Sequence, residues 1–497
     1  MARHISVNGP ALVARPITIA ASGVTLDLNG FTISSTAASA TGNGIYSSGS
    51  YEDITIMNGH IRGGVTESGG TYSGPGFADG IYINAGNIKV THVTVSGVLI
   101  YGIYASNASI YNSTVVSECT VNTAGSYGIY ANVVESCSAY DCGSHGISAS
   151  QISDSYGQAV STYGEGIYAN TVINSYGEGD GLSSEGISAT DAENCYGYGG
   201  SEGLNAVTAN NCYGYNNSTN GEGVVASDAN GCYGYGGYAG MYCYGTAQGC
   251  YGYSYYGYGV YANAANNCYG YCGTSSGSST YYAGVYADTA NNCYGYSYSY
   301  YGIWVNAANN CYGESYQSAG INADGGGLSS RYGGAIENCY GYSYNDAGIY
   351  AYNAINSYGE SYNSTGLSAT TANNCYGYSE NGYEGLGASV ANNCYGLVYG
   401  TQYYAYGLGA TVANNCYGYC GSTGNSGNGI SATDINNCYG ACYNGLYGYG
   451  LNAGDVVMGS SGYASGTGTY GIVSYIANSC YGTGAFGNSI SYKYNMP

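Results

Sequence analysis

A unit of about 20 residues recurs along most of this chain and constrains the fold more than any other feature of the sequence. Its fullest form is G-Φ-x-A-x-x-A-N-N-C-Y-G-Y, where Φ is aliphatic, and glycine precedes all 18 Φ positions from Ile129 to Ile472. In twelve units a cysteine follows Φ by eight residues, whereas the length varies mainly in the segment after that cysteine. Constant segments joined by variable connectors are typical of solenoids, and a period this short suits one coil of a β-solenoid rather than a helix pair.

Composition excludes several classes of protein. The chain has 28 acidic and only 6 basic residues, so a phosphate-binding surface for nucleic acid is not expected. No run of about 18 apolar residues predicts a membrane-spanning helix. Glycine and tyrosine supply 88 and 69 of the 497 residues, which disfavours an α-helical fold. The sequence therefore predicts an all-β protein, a single right-handed parallel β-helix of about 20–22 short coils.

Alternation within the unit predicts which side chains are buried. When the segment A-N-N-C-Y-G-Y is treated as one strand, Asn266 and Cys268 point inward, whereas Ala265 and Tyr269 point outward. Val260 begins the inward set of a second short strand. Because this core is thin, the two faces of the coil are expected to lie close together.

Stacked coils place equivalent residues about 4.8 Å apart and so produce ladders. A cysteine ladder is expected as a column of small, polarisable core residues that includes Cys195, Cys212, Cys232, Cys250, Cys268, Cys293, Cys311, Cys375, Cys394, Cys416 and Cys438. A tyrosine ladder of offset, stacked rings is expected one residue later, and it includes Tyr269, Tyr294, Tyr312, Tyr376, Tyr395, Tyr417 and Tyr439. The Asn-Asn pair before the cysteine, as at Asn266 and Asn267, is expected to hydrogen-bond from coil to coil.

Cysteine spacing also bears on disulfides and metals. Stacked Cβ atoms lie further apart than the roughly 3.8 Å of a disulfide, so few bridges are expected along the ladder. Cys420 and Cys442 occupy matching places one coil apart, outside the ladder, and are the pair for which a disulfide is expected. No zinc site is expected from the C-x3-C pairs, because residues four apart in a strand are about 13 Å apart. No cofactor is expected either.

The first 125 residues are less regular, but they contain the motif that carries a family resemblance. The segment S-G-V-T-L-D-L-N-G-F-T-I, Ser22 to Ile33, resembles the opening coil of right-handed parallel β-helix proteins of the pectin-lyase-like superfamily. The later G-Φ-x-A coils are similar to further turns of that family. The resemblance implies the fold and leaves the activity open, because this architecture serves lyases, hydrolases, adhesins and structural proteins.

Enzymes of that superfamily use clustered acidic and basic side chains in one groove, which this chain matches poorly. The best candidate cluster is His60, Arg62, Asp79, Lys89 and His92, and we expect these to be solvated turn and rim residues rather than catalytic ones. The expectation is therefore that the protein is not an enzyme. A carbohydrate-active enzyme of pectin-lyase type, or a surface adhesin that binds glycans through the tyrosine ladder, remains the alternative.

Three regions are predicted: irregular coils at 1–125, regular coils at 126–482, and a strand at 483–497 for contact between subunits. No amphipathic cap is visible near the N-terminus, and Ile490, Tyr492 and Tyr494 belong to one more alternating strand. Two uncapped ends favour a head-to-tail homopolymer, with glycans or neighbouring filaments as further partners. We expect an extracellular or cell-surface structural protein, although the opening residues M-A-R-H-I-S do not form a signal peptide.

Overall fold

The computed structural model describes residues 4–7, 16–106, 114–273, 282–323, 334–400, 402–421, 426–443 and 446–496. These described residues form strands and turns but no helix. The chain divides into two compact units, residues 1–244 and 245–497. Each unit is a right-handed β-solenoid of stacked parallel coils, so the predicted fold class is confirmed.

The described residues of the first unit form 25 strands: β1 His4–Val7, β2 Ile17–Thr18, β3 Thr25–Asp27, β4 Thr32–Ser35, β5 Asn43–Arg62, β6 Thr66–Ser68, β7 Thr71–Ser73, β8 Asp79–Val98, β9 Tyr101–Ala105, β10 Thr114–Ser117, β11 Thr120–Ala124, β12 Tyr127–Tyr130, β13 Val133–Glu135, β14 Ser138–Cys142, β15 His145–Ser153, β16 Tyr156–Ala159, β17 Glu165–Ile173, β18 Tyr176–Gly179, β19 Glu185–Glu193, β20 Tyr196–Gly199, β21 Glu202–Asn210, β22 Tyr213–Asn216, β23 Glu222–Asn230, β24 Tyr233–Gly236 and β25 Ala239–Cys243.

In the part of the second unit that the structure describes there are 26 strands: β26 Thr246–Gln248, β27 Tyr251–Ser254, β28 Tyr258–Asn266, β29 Tyr269–Cys272, β30 Ala283–Asn291, β31 Tyr294–Ser297, β32 Tyr301–Asn309, β33 Tyr312–Ser315, β34 Ile321–Ala323, β35 Ala335–Glu337, β36 Tyr340–Ser343, β37 Ile349–Ile355, β38 Tyr358–Ser361, β39 Leu367–Asn373, β40 Tyr376–Ser379, β41 Glu384–Asn392, β42 Tyr395–Val398, β43 Tyr404–Asn414, β44 Tyr417–Cys420, β45 Ser426–Asn436, β46 Tyr439–Cys442, β47 Tyr447–Met458, β48 Ser461–Ala464, β49 Tyr470–Asn478, β50 Tyr481–Thr483 and β51 Ser489–Tyr494.

Equivalent residues of successive coils are in register along each unit. In the second unit, β28 pairs parallel with β30, so Val260 lies opposite Val285 and Asn266 opposite Asn291. The third segment of the same coil, β29, pairs parallel with β31 and places Tyr269 opposite Tyr294. One coil therefore contributes a long strand that holds two short segments and a separate third segment. The coil that contains Cys339 has an insertion at residues 324–334 between its first two segments, and residues 324–333 of it lie outside the described residues.

A left-handed residue at the corner between the second and third segments changes the predicted burial pattern. Asn267 has φ of 53°, which interrupts the alternation of a strand. Ala265 is consequently buried and Asn266 is half-exposed, so the prediction that Ala265 points outward and Asn266 inward is wrong. The predictions for Cys268, which is buried, and for Tyr269, which is half-exposed, are confirmed, as is the burial of Val260.

The same corner conformation recurs in coil after coil and explains why asparagine is so frequent before the cysteine. Asparagine tolerates positive φ better than most residues because its short side chain makes local hydrogen bonds. Glycine takes the position where asparagine is absent, as at Gly249 with φ of 61°. The corner is held by residues that include Asn174, Asn194, Asn211, Asn292, Asn310, Asn338, Asn356, Asn374, Asn393, Asn415 and Asn437.

The glycine before each Φ residue lets the faces of a coil approach each other. A Cβ at Gly259 would collide with the backbone nitrogen of Tyr271 in the third segment of the same coil and with the carbonyl of Gly284. The backbone of one face therefore packs directly against the backbone of another, as the thin core requires. Buried aliphatic residues such as Val260 and Ile303 fill the remaining space.

The N-terminal coils stack in the same way despite their irregular sequence. β3 pairs with the middle of β5, placing Thr25 opposite Thr55, and β4 pairs with its end, placing Thr32 opposite His60. The predicted Asn-Gly turn is present, with φ of 46° at Asn29 and 78° at Gly30. A separate antiparallel pair, β6 and β7, extends from this region.

Candidate functional site

A groove of about 660 Å³ follows the corner of several coils in the first unit. We call it the corner groove. One wall consists of the left-handed corner residues, the other consists of tyrosine rings, and the floor consists of the buried residues between them. Its lining residues are Ser136, Cys137, Ser138, Asp154, Ser155, Tyr156, Asn174, Ser175, Tyr176, Asn194, Cys195, Tyr196, Asn211 and Tyr213.

The polar wall of the corner groove is a hydrogen-bonded ladder. Asn174 Nδ2 donates to Asp154 Oδ1 at 3.2 Å, and Asn194 Nδ2 donates to Asn174 Oδ1 at 3.3 Å. The half-exposed first asparagine of the pair forms a second ladder in the second unit, where Asn291 Nδ2 donates to Asn266 Oδ1 at 2.9 Å. The predicted coil-to-coil amide bond is therefore confirmed between Asn266 and Asn291, and the structure adds the single asparagines Asn174 and Asn194.

The aromatic wall is a continuous stack of rings. Centroids are 5.3 Å apart between Tyr156 and Tyr176, 4.7 Å between Tyr176 and Tyr196, and 4.8 Å between Tyr196 and Tyr213. These spacings match offset stacking of nearly parallel rings. The structure thus adds Tyr156 and Tyr176 to the predicted ladder, because serine at the preceding position replaces the cysteine of the repeat.

The tyrosine ladder predicted for the second unit is also confirmed. Ring centroids are 4.8 Å apart between Tyr269 and Tyr294, 5.0 Å between Tyr294 and Tyr312, and 4.8 Å between Tyr376 and Tyr395. The stack continues at 4.4 Å from Tyr395 to Tyr417 and at 5.2 Å from Tyr417 to Tyr439.

Glutamates in the neighbouring column accept hydrogen bonds from several ladder tyrosines. Tyr294 Oη donates to Glu314 Oε2 at 2.9 Å, and Tyr340 Oη donates to Glu360 Oε2 at 2.5 Å. Burial raises the pKa of the Tyr213 phenol to about 12, with neighbouring tyrosines adding to the effect. The ladder consequently presents neutral phenols that donate and accept hydrogen bonds across the physiological pH range.

Comparison of the chain with protein-family models, curated proteins and solved structures found no match. The coil geometry alone therefore establishes the β-solenoid. The resemblance to the pectin-lyase-like superfamily stays a prediction from the sequence motif at residues 22–33.

The cysteine ladder is a hydrogen-bonded column in the core. All 20 cysteines are buried and none forms a disulfide. The Cys268 N–H lies 3.5 Å from Cys293 Sγ, and the Cys293 N–H lies 3.5 Å from Cys311 Sγ, so each sulfur accepts a hydrogen bond from the coil before it. Serine substitutes in the same way, since Cys339 N–H donates to Ser357 Oγ at 3.2 Å.

The column extends beyond the cysteines that the repeat identifies. Cys119, which the sequence pattern leaves outside the ladder, donates its N–H to Cys137 Sγ at 3.4 Å. No G-Φ pair stands eight residues before Cys119, so the repeat gives no signal there. The rungs are Cys119, Cys137, Ser155, Ser175, Cys195, Cys212 and Cys232 in the first unit, and Cys250, Cys268, Cys293, Cys311, Cys339, Ser357, Cys375, Cys394, Cys416, Cys438, Ser460 and Cys480 in the second.

The disulfide predicted between Cys420 and Cys442 is absent, although the two residues do lie opposite each other in β44 and β46. They belong to an apolar cluster with Val398, Ala405 and Ala464. Strands in one sheet are about 4.8 Å apart, and Cβ atoms stacked at that distance exceed the separation that a disulfide spans. The pair therefore packs as two buried thiols.

A column of four glutamates is a feature that the sequence analysis missed. Glu165, Glu185, Glu202 and Glu222 lie opposite one another in β17, β19, β21 and β23. His145 precedes them, with its Nε2 3.5 Å from Glu165 Oε2. The available signal was the triplet E-G-Φ in four successive units.

Burial controls the electrostatics of this glutamate column. It raises the pKa of Glu165 and of Glu202 to about 7, and the charge of neighbouring Glu185 adds to both shifts. The Oε2 atoms of Glu185 and Glu202 are buried and have no hydrogen-bond partner among the described residues. Burial also lowers the pKa of His145 to about 4. The column thus holds protons that exposed glutamates would release.

The five residues of the candidate catalytic cluster lie on different segments of their coils. Asp79 begins β8, Lys89 lies opposite Thr55 in the second segment, and His60 and Arg62 end β5 in the third. His92 is a corner residue with φ of 54° that pairs with Glu118. No hydrogen bond or ion pair joins any two of these five described residues.

Asp79 lies in an environment that perturbs its carboxyl group. It accepts hydrogen bonds from Asn43 Nδ2 at 2.8 Å and from the Tyr101 N–H at 3.1 Å, and burial raises its pKa to about 6. These bonds fix its position between adjacent coils. Within the described part of the chain, no group of three or more His, Cys, Asp and Glu residues could hold a metal ion.

The predicted C-terminal strand is present as β51. It pairs parallel with β49, with Ile490 opposite Ser474, Tyr492 opposite Ile476 and Tyr494 opposite Asn478. Tyr492 and Tyr494 are exposed, at 51% and 55%. Among the described residues β51 pairs with no second strand, so in this part of the chain its other edge is unpaired. No helix in the described residues is long and apolar enough to cross a membrane.

Proposed function

We propose that this protein is an extracellular structural protein, a variant of the pectin-lyase-like β-helix that joins copies of itself end to end into filaments. The observation that carries the proposal is the β51 edge. A parallel strand with one unpaired side is a template for another strand, and proteins that avoid such pairing usually cover or distort it. Here the edge is in register with the coils beneath it.

The ladders support a mechanical role. Identical small, amide and aromatic residues repeat from coil to coil, and each makes the same contact with its neighbour. Apart from the glutamate column, these ladders carry little charge, so stacking is not opposed by repulsion between like charges. Repetition of one contact over many coils gives stiffness without a site for chemistry, which is the property that a structural element needs.

One residue of the terminal coil opposes assembly. Lys493 lies opposite Ala477, in the column where Ala477, Val457 and Ile435 are buried. A charge at an inward position is a known means of preventing edge pairing. We infer that the Lys493 ammonium group sets the threshold for end-to-end addition, so assembly should require high protein concentration or a partner carboxylate.

The test is electron microscopy and sedimentation of the purified full chain and of a Ser491→Pro variant. The carbonyl of Tyr494 accepts a hydrogen bond from the Ser479 N–H, so by alternation the Ser491 N–H points to the open edge. Proline there removes an outward donor without breaking a bond to β49. Filaments should form with the wild type and with the matched Ser491→Ala control, and they should be lost with proline.

Filaments that persist unchanged in Ser491→Pro would show that β51 is not the contact. Single particles at every concentration, in wild type and in Lys493→Leu alike, would rule out end-to-end assembly altogether. Fractionation of the producing cells with an antibody tests the proposed location separately.

The corner groove favours a second candidate function, the binding of a carbohydrate chain. Flat aromatic rings and amide groups are the side chains that contact sugar faces and hydroxyls. Tyr176→Ala should then weaken binding to an immobilised glycan panel, whereas Tyr475→Ala, at an exposed ring outside the groove, should not. The pectin-lyase-type enzyme remains an alternative that no side-chain cluster described above favours.

A further inference from the structure

A second groove, of about 380 Å³, lies on the first segment of four coils in the second unit. Its lining residues are Ser368, Ala369, Glu384, Gly387, Ala388, Ser389, Tyr406, Gly409, Ala410, Thr411 and Ser431. The position directly after the buried aliphatic residue forms its floor, and in these coils that position is Ser368, Gly387, Gly409 and Ser431 in register. Earlier coils carry large rings there, as at Trp304 and Tyr350. Small residues therefore open a groove where the Trp304 and Tyr350 coils are filled.

The Glu384 carboxyl group lies over the two floor glycines. A Cβ at Gly387 would overlap Oε2 of Glu384, and a Cβ at Gly409 would overlap Oε1. The carboxyl group is therefore aimed into the groove rather than out to solvent. Neither glycine has positive φ, so the space they leave, rather than the backbone conformation, accounts for their presence.

Glu384 differs from two other glutamates of this unit, Glu314 and Glu360, in having no hydrogen-bond partner among the described residues. Glu314 and Glu360 each accept a hydrogen bond from a tyrosine hydroxyl. The Glu384 side chain makes no hydrogen bond or ion pair with any described residue. Burial alone raises its pKa to about 7. A desolvated carboxyl group without a counter-charge is a cost to the fold that a cationic ligand would relieve.

The surrounding groups match a primary ammonium group. Tyr406 lies opposite Glu384 in the next coil, where its ring can face a cation. Hydroxyl groups of Ser368, Thr411 and Ser431 line the same groove and can accept hydrogen bonds. An ammonium group has three donors and no acceptor, so one carboxylate and two hydroxyls satisfy it.

We propose that this groove is a binding site for a primary alkylammonium group, with Glu384 as its counter-charge. The group can come from a free amine or from the side chain of an exposed lysine on a partner. The site does not depend on the filament proposal, because it lies on the side of the coils and away from β51.

Isothermal titration of the full chain tests the site with n-butylammonium chloride, N-acetyl-lysine amide, n-butanol and a neutral disaccharide. Saturable binding of the two amines is expected, with at least about tenfold weaker binding of butanol. A preference for the lysine derivative over n-butylammonium would point to a protein partner, and the reverse to a free amine. Binding should strengthen between pH 6 and pH 8 as the carboxyl group ionises while the amine stays protonated.

Two variants separate this site from adventitious binding. Glu384→Gln should weaken amine binding about tenfold or more, whereas Glu360→Gln, in the column bonded to tyrosine, should leave it unchanged. Gly409→Ala places a methyl group where the carboxyl lies and should also weaken binding. Equal binding by wild type and Glu384→Gln, stronger binding of the disaccharide than of the amines, or no binding at all would overturn the proposal.

Discussion

Asn374 donates a hydrogen bond from Nδ2 to Oδ1 of Asn356 in the preceding coil, at 3.2 Å, and both residues have positive φ, 54° and 49°. Asn393 in turn donates to Asn374 Oδ1 at 3.2 Å. One asparagine thus performs two tasks, since it supports a left-handed backbone and it links three coils. This combination explains why the corner of the repeat is so constant.

Replacement of Asn374 should separate these two tasks. Asn374→Gly retains the left-handed backbone and loses only the amide bonds, whereas Asn374→Val also places a β-branched residue at positive φ. The valine variant should be less stable than the glycine variant by about 1–2 kcal/mol. Hydrogen exchange of the neighbouring amides measures the local opening free energy. Equal losses in the two variants would show that backbone conformation does not limit stability here.

The cysteine column should accept serine but not a larger residue. Cys293 accepts from the Cys268 N–H and donates its own N–H to Cys311 Sγ, and serine already fills equivalent rungs at Ser357 and Ser460. Cys293→Ser should change the midpoint of thermal unfolding little. Cys293→Leu should overpack the core and lower the free energy of unfolding by about 1–3 kcal/mol. A thermal melt of both variants is the measurement, and a serine variant as unstable as the leucine variant would contradict the hydrogen-bonded column.

The buried thiols should also be unreactive. Burial raises the pKa of Cys272 to about 12, and the thiolate is the reactive form. Because all 20 cysteines are buried, a thiol-reactive dye should label the native chain slowly and label all of them after denaturation. Rapid labelling of the native protein at neutral pH would contradict this packing.

The glutamate column should make the first unit more stable in mild acid. The folded pKa of Glu202, about 7, lies above the unfolded value of about 4.5, so the folded state binds more protons between these values. Its contribution is therefore retained below about pH 4.5 and is lost as the pH rises to about 7. His145 has the opposite effect on stability. Its folded pKa of about 4 lies below the unfolded value of about 6.5, so its contribution is lost as the pH falls from about 6.5 to about 4.

Comparison of wild type with Glu202→Gln isolates the contribution of this glutamate to the pH dependence of stability. Denaturant unfolding of the first unit, followed from pH 5 to pH 8, should show a smaller loss of stability in the glutamine variant. Glu360→Gln in the second unit is the matched control. Parallel pH profiles for wild type and Glu202→Gln would show that the column is ionised in the folded state.

Ring stacking should contribute measurably at Tyr395, whose centroid lies 4.8 Å from that of Tyr376 and 4.4 Å from that of Tyr417. Tyr395→Phe keeps the stacked ring and should be close to wild type. Tyr395→Ala removes two stacked contacts, each worth about 0.5–1.5 kcal/mol beyond buried area. Thermal unfolding of the two variants measures the difference. An alanine variant as stable as the phenylalanine variant would show that ring stacking at Tyr395 does not stabilise the fold.

Much of the fold follows from the repeat. The constant offset from Φ to cysteine identifies the coil, because residues that occupy one place in every coil must stack on themselves. The buried cysteines, the stacked tyrosines and the amide bonds are all consequences of that single fact. The repeat is incomplete at Cys119 and at Ser155. The sequence alone therefore does not assign Cys119 to the cysteine ladder or Tyr156 to the tyrosine ladder.

The sequence determined the β-solenoid and its ladders, because a period of about 20 residues admits little else. The tertiary structure decided what each corner does. Asn267 adopts a left-handed backbone, and that one rotation buries Ala265 and leaves Asn266 half-exposed, against the alternation of a continuous strand. It also decided which carboxyl groups meet, since Glu165 and Glu185 are 20 residues apart in the chain yet lie opposite each other in adjacent coils. Proximity between coils depends on register, and register is fixed only when the whole stack forms.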